Sequence, residues 1–223
     1  MTKRIVLITG GSRGIGAAIA AEFRSRGHEV ITPARAELDL ASAKSIEEFI
    51  ARESKRAVDV LINNAGINIL KPIEALDEET FQTMLQVNLA SAVRLTQAFL
   101  PGMKAHQWGR VLGMSSILGL IAKEKRAAYS MSKAALNAFS RAITVEYGRF
   151  GILSNTLCPG YIDTALTRQN NSPQEIEAIC AAIPVHRLAQ PEEIARVAYF
   201  LCSEENSYIS GQDIVADGGF LCQ

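Results

Sequence analysis

The spacing of short β-branched runs constrains this chain more than any other feature. Such runs fall at residues 4–9, 29–32, 58–62, 111–114, 153–157 and 213–215, separated mostly by segments long enough for a helix. Strands that alternate with helices assemble as βαβ units, and these build a parallel sheet. The runs are almost continuously apolar, which is the pattern of strands covered on both faces. The expectation is therefore one α/β domain over residues 1–223, a doubly wound parallel sheet with helices on both faces and no edge solvated on one side. A length of 223 residues suits one such domain.

Between the strands, residues 14–26 place Ile15, Ala18, Ile19 and Phe23 on one stripe, and Gly27 ends the helix. Residues 129–147 carry two apolar faces, one of smaller residues (Met131, Ala135, Ala138, Ala142, Val145) and one larger (Leu136, Phe139, Ile143). Residues 89–103 are amphipathic. If both segments turn an apolar face outward, association about two-fold axes is the economical way to cover it. Only residues 163–190 lack strong periodicity, with Asn170-Asn171-Ser172-Pro173 between apolar patches. A mobile substrate loop is expected there.

Composition narrows the class of partner. Lys+Arg and Asp+Glu both number 23, so no global field draws the chain to nucleic acid or to an anionic membrane. A small molecule fits better. The apolar run Ile5 to Ile8 is too short for a signal segment or a membrane span. The cysteines Cys158, Cys180, Cys202 and Cys222 form no C-x-x-C pair and have no histidine at ligand spacing, so no metal site is expected. Reduced thiols in a cytoplasmic protein are the simplest reading.

The chemistry begins after the first strand, at Thr9-Gly10-Gly11-Ser12-Arg13-Gly14-Ile15-Gly16. Glycines between a strand and a helix let backbone approach a pyrophosphate, whose charge is stabilised by the free N–H groups of the helix N-terminus. The spacing is G-x-x-x-G-x-G and not the usual G-x-G-x-x-G. It nonetheless points to a dinucleotide-binding, Rossmann-type domain. Asn63-Asn64-Ala65-Gly66 closes the third run, at the edge where α/β sheets bind ligands. Ser115-Ser116 follows the fourth, and Tyr129-Ser130-Met131-Ser132-Lys133 opens the long helix.

Tyr129 and Lys133 are four apart and share a helix face. Bringing a tyrosine from about 10 to about 7 requires roughly 4 kcal/mol of preferential stabilisation of the phenolate. A nearby ammonium in a partly desolvated site can supply much of it. A lone Y-x-x-x-K is common by chance, and only its company makes it specific.

Taken in order, these motifs resemble the short-chain dehydrogenase/reductase family over essentially the whole chain. The matching features are the Thr9–Gly16 turn, Asn63-Asn64-Ala65-Gly66, Asn88 in Gln86-Val87-Asn88-Leu89, Ser116 thirteen positions before Tyr129, Lys133, the P-G-x-x-x-T segment Pro159 to Thr164, and Asp217-Gly218-Gly219. The resemblance implies an NAD(P)(H)-dependent oxidoreductase that interconverts a ketone and a secondary alcohol. Tyr129 would be its acid/base, Ser116 would orient the oxygen, Lys133 would lower the tyrosine pKa and hold the ribose, and Asn88 would anchor a water. Implied cofactor contacts are Gly10, Ser12, Arg13, Gly14, Ile15, Gly16, Arg35, Asp39, Leu40, Asn64, Ala65, Gly66, Tyr129, Lys133, Pro159, Gly160, Ile162 and Thr164. The family also points to a homotetramer.

Within the family, Pro184-Val185-His186-Arg187 and the ending through Ile209-Ser210-Gly211 look most like 3-oxoacyl-(acyl-carrier-protein) reductases, which act on a carrier-bound thioester. Sugar, polyol and other small-alcohol dehydrogenases remain the alternative. A non-catalytic NAD(P)-sensing scaffold is the rival of another class, but such relatives generally lose the Tyr or the Lys, and both are present. Two departures stand out. Arg35-Ala36-Glu37-Leu38-Asp39-Leu40 follows the second strand almost at once, so the family's next strand is expected to be truncated. Gln107 and Phe150 occupy positions that are basic in carrier-protein reductases, although Lys104, His106 and Arg149 lie close by. Arg13 and Arg35 can both reach a 2′-phosphate, so NADP(H) is favoured over NAD(H), with Glu37 as a rival ligand for ribose hydroxyls.

Overall fold

All six apolar runs become strands of one parallel sheet, whose spatial order by place in the chain is second, first, third, fourth, fifth, sixth. The computed structural model describes residues 2–222, so Met1 and Gln223, the ends of the expected domain, lie outside the described residues. The strands are β1 (Ile5–Ile8), β2 (Glu29–Ile31), β3 (Val60–Asn63), β4 (Gly109–Met114), β5 (Ile152–Pro159) and β6 (Asp213–Ala216). Eight α-helices connect or flank them among the described residues: α1 (Gly14–Ser25), α2 (Ala43–Glu53), α3 (Glu78–Leu85), α4 (Ser91–Ala105), α5 (Ala127–Tyr147), α6 (Ala165–Asn170), α7 (Pro173–Ala182) and α8 (Pro191–Cys202).

The strand period of two sorts the core into layers. Val6, Ile8, Val60, Ile62, Leu112 and Met114 face α1 and α8, meeting Ile19, Phe23, Ile194 and Tyr199. Leu7, Leu61, Val111 and Ile152 face the other way, meeting Ile46, Phe49, Leu95, Phe99 and Ile143. Both faces of the central strands are therefore dry, as their continuous apolar character requires. The outermost strands differ from expectation: β2 and β6 are only half-buried, and Val215 of β6 is exposed. Each has a strand on one side only, so its free edge stays open.

The expected truncation after β2 is complete, since among the described residues no strand lies between β2 and α2. Residues 34–42 instead turn back on themselves. Leu38 N donates to the Ala34 carbonyl at 3.0 Å, Ala34 N donates to the Glu37 carboxylate at 2.8 Å, and Leu38 and Leu40 plug the core. Ser42 then caps α2 by accepting from Ser45 N.

Residues 163–190 are more ordered than their weak periodicity suggested. They hold α6 and α7, the latter started by a capping box between Ser172 and Glu175 with Pro173 in its first turn. The outward faces of α4 and α5 also differ. On α5, Met131, Ala138, Ala142 and Val145 are exposed, as the small-residue face predicts. On α4 the exposed positions include Arg94, Gln97 and Lys104, and Arg94 pairs with Glu47 of α2 at 2.6 Å. The apolar residues of α4 are spent on its own core.

Candidate active site

The chain reverses its direction of travel across the sheet between β1 and β3, which opens a crevice at their carboxyl ends. The glycine turn lies on one side of it and Asn64 on the other. Asn64 Nδ2 donates to the carbonyls of Thr9 at 2.9 Å and Gly10 at 3.1 Å. The Thr9 hydroxyl accepts from the amides of Asn64 at 3.0 Å and Ala65 at 3.1 Å. These four bonds lock the two loops together, so the Asn64 amide group is spent on the turn itself. A Cβ on Gly16 would lie 2.2 Å from the Gly10 carbonyl oxygen, so only glycine fits there. Gly14 takes a φ of +55°, and the space above its α-carbon is bounded by Thr164 at 3.6 Å.

The helix that follows this turn is left open. Arg13 occupies the N-cap of α1 without a side-chain cap, and no acidic residue stands in the first turn. By contrast, side chains of Ser42, Asp77, Thr164 and Ser172 cap α2, α3, α6 and α7. Ser12, Arg13 and Gly14 are exposed, Ile15 is half-buried, and Arg13 has no ion pair among the described residues. A free helix N-terminus behind a glycine cradle suits a pyrophosphate. The residues present thus fit a dinucleotide.

The other residues implied as cofactor contacts surround this crevice unevenly. Arg35 is 84% exposed and meets only Asp39, at 3.6 Å. Leu40 is buried, with its carbonyl taken by Gln86 at 3.2 Å, so any contact it makes is limited. Pro159 ends β5, and Gly160 packs so tightly on Asp217 that a Cβ would lie 2.7 Å from that residue's own. Ile162 is buried and bridges Ala189, while Thr164 returns over Gly14.

Beyond β4 the chemistry gathers. Ser116 lies at the end of the strand in extended backbone and caps a short 3-10 turn by accepting from Leu118 N at 3.1 Å. Its hydroxyl lies close enough to Tyr129 to lower that residue's pKa. Ser115 is different: it is buried and donates to the Lys133 carbonyl at 3.2 Å. Lys133, one turn after Tyr129 on α5, is buried and donates from Nζ to the Met114 carbonyl at 2.6 Å. Nζ lies 5.6 Å from the centre of the Tyr129 ring.

Asn88 sits in a π turn, Gln86–Ala90, between α3 and α4. Such one-turn widenings recur at functional sites because they redirect side chains without ending the helix. The Asn88 amide group donates to the Ile67 carbonyl at 2.9 Å and to Ser132 Oγ at 3.0 Å, and accepts from Ile67 N at 2.8 Å. A Cβ on Gly66 would lie 3.3 Å from both Asn88 Oδ1 and Lys133 Nζ. Asn88, Gly66 and Lys133 therefore converge.

Burial dominates the electrostatics of the site. It raises the Tyr129 pKa, against Ser116 and the Arg126 charge, which lower it. Burial also brings Lys133 down to about 8. The Lys133 ammonium is directed to the Met114 carbonyl, with the Tyr129 ring 5.6 Å away.

Three contributors were not singled out from sequence: Thr9 as the clasp of the two loops, Ser132 as the partner of Asn88, and Arg126 beside Tyr129. Ser132 lies inside the Tyr129–Lys133 motif, but no pattern marks Thr9 or Arg126 as more than a turn residue and a surface cation. A cavity of about 280 Å³ lies at the opposite end of the sheet, among Arg4, Phe23, His28, Trp108 and Tyr199. It is remote from this chemistry. Cys158 is buried, with its thiol pushed up by burial, which argues against a reactive role.

Residues 32–221 match the family model described as Enoyl-(Acyl carrier protein) reductase. Acetoacetyl-CoA reductase of Shinella zoogloeoides is 35% identical over 236 residues, which cover 97% of this chain and 98% of that relative. The chain belongs to the short-chain dehydrogenase/reductase family. This short-chain dehydrogenase/reductase also resembles two solved structures closely. One is a 4-hydroxyisoleucine dehydrogenase complexed with NADH, at TM-score 0.93 and 26% identity, covering 99% of this chain and 100% of that one. The other is a gluconate 5-dehydrogenase from Burkholderia cenocepacia J2315 in complex with NADP and tartrate, at TM-score 0.89 and 26% identity, covering 100% and 97%. The expected family and fold are borne out, and the chain is an NAD(P)-dependent oxidoreductase.

Proposed function

We propose that this enzyme interconverts a small ketone and its secondary alcohol, with Tyr129 as acid/base. The observation that carries the reading is the convergence of Ser116, Tyr129, Lys133 and Asn88 at the carboxyl edge of the sheet, one loop away from the glycine cradle. When bound, the nicotinamide supplies or accepts the hydride. Ser116 and Tyr129, close enough to affect each other's titration, present two hydroxyls to one carbonyl oxygen. Tyr129 gives its proton to that oxygen as negative charge develops there. The Arg126 guanidinium, whose charge lowers the Tyr129 pKa, then stabilises the phenolate left behind, and Lys133 would hold the ribose. Asn88 Oδ1 and Lys133 Nζ, both facing Gly66, are placed to hold a water through which the proton returns.

The raised Tyr129 pKa favours the proton-donating form, so ketone reduction is the direction suited to neutral pH. Alcohol oxidation needs the phenolate and is expected to accelerate as the medium becomes alkaline.

The cofactor would be held by Gly10, Ser12, Arg13, Gly14, Ile15 and Gly16, by Arg35, Asp39 and Leu40, by Asn64, Ala65 and Gly66, by Tyr129 and Lys133, and by Pro159, Gly160, Ile162 and Thr164. NADP(H) is favoured over NAD(H). Arg35 is exposed with one weak partner, Arg13 has none among the described residues, and the Glu37 carboxylate that would take ribose hydroxyls is folded onto Ala34 N. Residues 163–190 would form the substrate loop of a single catalytic domain spanning 1–223.

A free hydroxy or oxo compound is the leading substrate class, supported by the gluconate and 4-hydroxyisoleucine dehydrogenases among the structural neighbours. A thioester, including a carrier-bound one, is the second reading. It is supported by the acetoacetyl-CoA reductase relative and by Lys104 and Arg149, which stack on Phe150 at 4.5 and 4.8 Å as a cationic surface. The exposed small-residue face of α5 supports a homotetramer, and the composition supports a cytoplasmic setting. Among the described residues no helix is long and apolar enough to cross a membrane.

A panel of ketones followed by NADPH and NADH absorbance tests the reading. Turnover with NADPH at least about tenfold more efficient than with NADH is expected, the scale of one charge-assisted contact to the 2′-phosphate. Cofactor binding without reduction of any ketone would overturn the activity, and a preference for NADH would overturn the cofactor assignment.

A further inference from the structure

We propose that Arg126 forms an anion subsite beside Tyr129, and that the substrate is an oxo or hydroxy acid whose carboxylate seats on that guanidinium. The proposal rests on the ketone reductase reading and specifies its substrate class.

Arg126 is only 6% exposed, yet among the described residues its side chain makes no hydrogen bond or ion pair, and its Nη1 is wholly buried without a partner. A buried guanidinium is normally paired or surrounded by carbonyls, because removing its charge from water is otherwise costly. An orphan of this kind needs a reason. Its position supplies one. Arg126 stands at the N-cap of α5, a 21-residue helix with no side-chain cap and no acid in its first turn. The helix terminus and the guanidinium therefore favour the same ligand, an anion.

The surroundings point the same way. Tyr129 is three residues on, roughly 4.5 Å along the helix axis. The ionisable groups whose charges bear on Arg126 are Tyr161, Tyr129 and Glu175, all of them on the substrate side of the site. Glu175 is the one carboxylate among them, and it is occupied: it accepts from Ser172 N at 2.7 Å as the capping box of α7. Lys125 takes a left-handed φ of +61°, and its carbonyl is held by Lys71 N at 3.1 Å, which fixes the turn just before Arg126. Lys123 donates to the Tyr161 hydroxyl at 3.3 Å. Lys123 and Lys125 thus flank Arg126 in the chain, and their charges reach Glu175, an arrangement that draws in small anions.

The size of the gap selects among anions. One helical turn separates the guanidinium from the acid/base, so the carboxylate and the reacting carbon are joined by only a few bonds. A planar carboxylate matches the guanidinium in two parallel hydrogen bonds. The methyl ester of the same acid keeps the shape and loses the charge.

Matched pairs of oxo acids and their methyl esters, assayed with NADPH on wild type, R126Q and R126K, test the proposal. Wild type is expected to prefer the acids in kcat/KM by about tenfold or more. R126Q should bring the acid-to-ester ratio close to one, with NADPH affinity retained and any loss in kcat shared by acid and ester, and R126K should restore part of the preference. An acid-to-ester ratio that is the same in wild type and R126Q would overturn the subsite. Thermal unfolding supplies a readout independent of turnover: at fixed ionic strength, malonate in place of chloride should raise the Tm of wild type and not of R126Q. No malonate-specific rise in wild type would also overturn it. A malonate-specific rise in an enzyme that reduces no ketone would leave the subsite standing and remove the reductase reading.

Discussion

Two buried arginines at opposite ends of the sheet show how differently this molecule treats the same side chain. Arg110 opens β4 at the amino end and is 5% exposed. Its guanidinium donates to the carbonyls of Gly109 at 2.8 Å, Gly151 at 3.2 Å and Asn206 at 3.0 Å, and it stacks on Trp108 at 4.4 Å. Arg126, equally buried near the carboxyl end, makes no such bond. One ties the start of β4 to the turns at Gly151 and Asn206, whereas the other bonds nothing among the described residues. The contrast extends to neighbouring groups. Near Arg126 the helices α1 and α5 begin without side-chain caps, and Lys133 is buried with one carbonyl for company. Arg110 Nε is also buried without a partner, so the contrast rests on three carbonyl bonds at Arg110 against none at Arg126 among the described residues.

The comparison breaks first at Lys133. Lys133→Met should lower kcat for ketone reduction by about a thousandfold, on the scale of lost acid/base and electrostatic terms. The same variant should be more stable at neutral pH, because it removes a desolvated ammonium. Since burial places the Lys133 pKa at about 8, below that of an unfolded lysine, the unfolded chain binds more protons between about pH 8 and 10. Wild-type stability should therefore gain a rising component across that window, which Lys133→Met lacks. In parallel, reductase activity should decline as pH rises through about 8 and the ammonium is lost. Denaturant titrations at several pH values check the first statement and pH–rate profiles the second.

A smaller effect separates the two arginines. Arg110→Met leaves three carbonyls without their donor and should cost about 3 kcal/mol of stability. Arg126→Met orphans no partner and should leave stability equal or higher. Equal losses at the two positions, measured by chemical denaturation, would show that Arg126 is as structural as Arg110.

The smallest expected effect lies at the outer margin of the cofactor crevice. Arg35→Ala should weaken NADPH by about tenfold, the scale of one exposed charge-assisted contact. NADH should change little. Fluorescence titration of both cofactors decides it, and equal losses would assign Arg35 to the support of the Arg35–Asp39 turn.

Much of this was legible in the sequence because it rests on local rules. The six strands follow from continuous apolar runs, and the turn follows from Gly10, Gly14 and Gly16 between a strand and a helix. The choice of Ser116 over Ser115 rested on spacing, and the structure puts only Ser116 against Tyr129. What sequence withheld depends on tertiary surroundings. Residues 163–190 form helices through the Ser172–Glu175 capping box, a signal weaker than hydrophobic period. The outward side of α4 is polar because its apolar residues are taken up by α2 and the sheet. The Tyr129 pKa rises because burial outweighs Ser116 and Arg126, a balance that no pattern encodes. Arg126 reads as one cation in Lys123-Glu124-Lys125-Arg126, and only the fold reveals that it is buried without a partner.

The central claim is that Tyr129 moves the proton in a site otherwise assembled for binding. Tyr129→Phe keeps the ring and removes only the hydroxyl, so single-turnover reduction of a ketone by the NADPH-loaded variant tests it most directly. The account predicts a loss of at least about a thousandfold in the chemical step, with NADPH affinity within about threefold of wild type. Reduction within about tenfold of wild type at saturating ketone would contradict it and move the acid/base role to another residue.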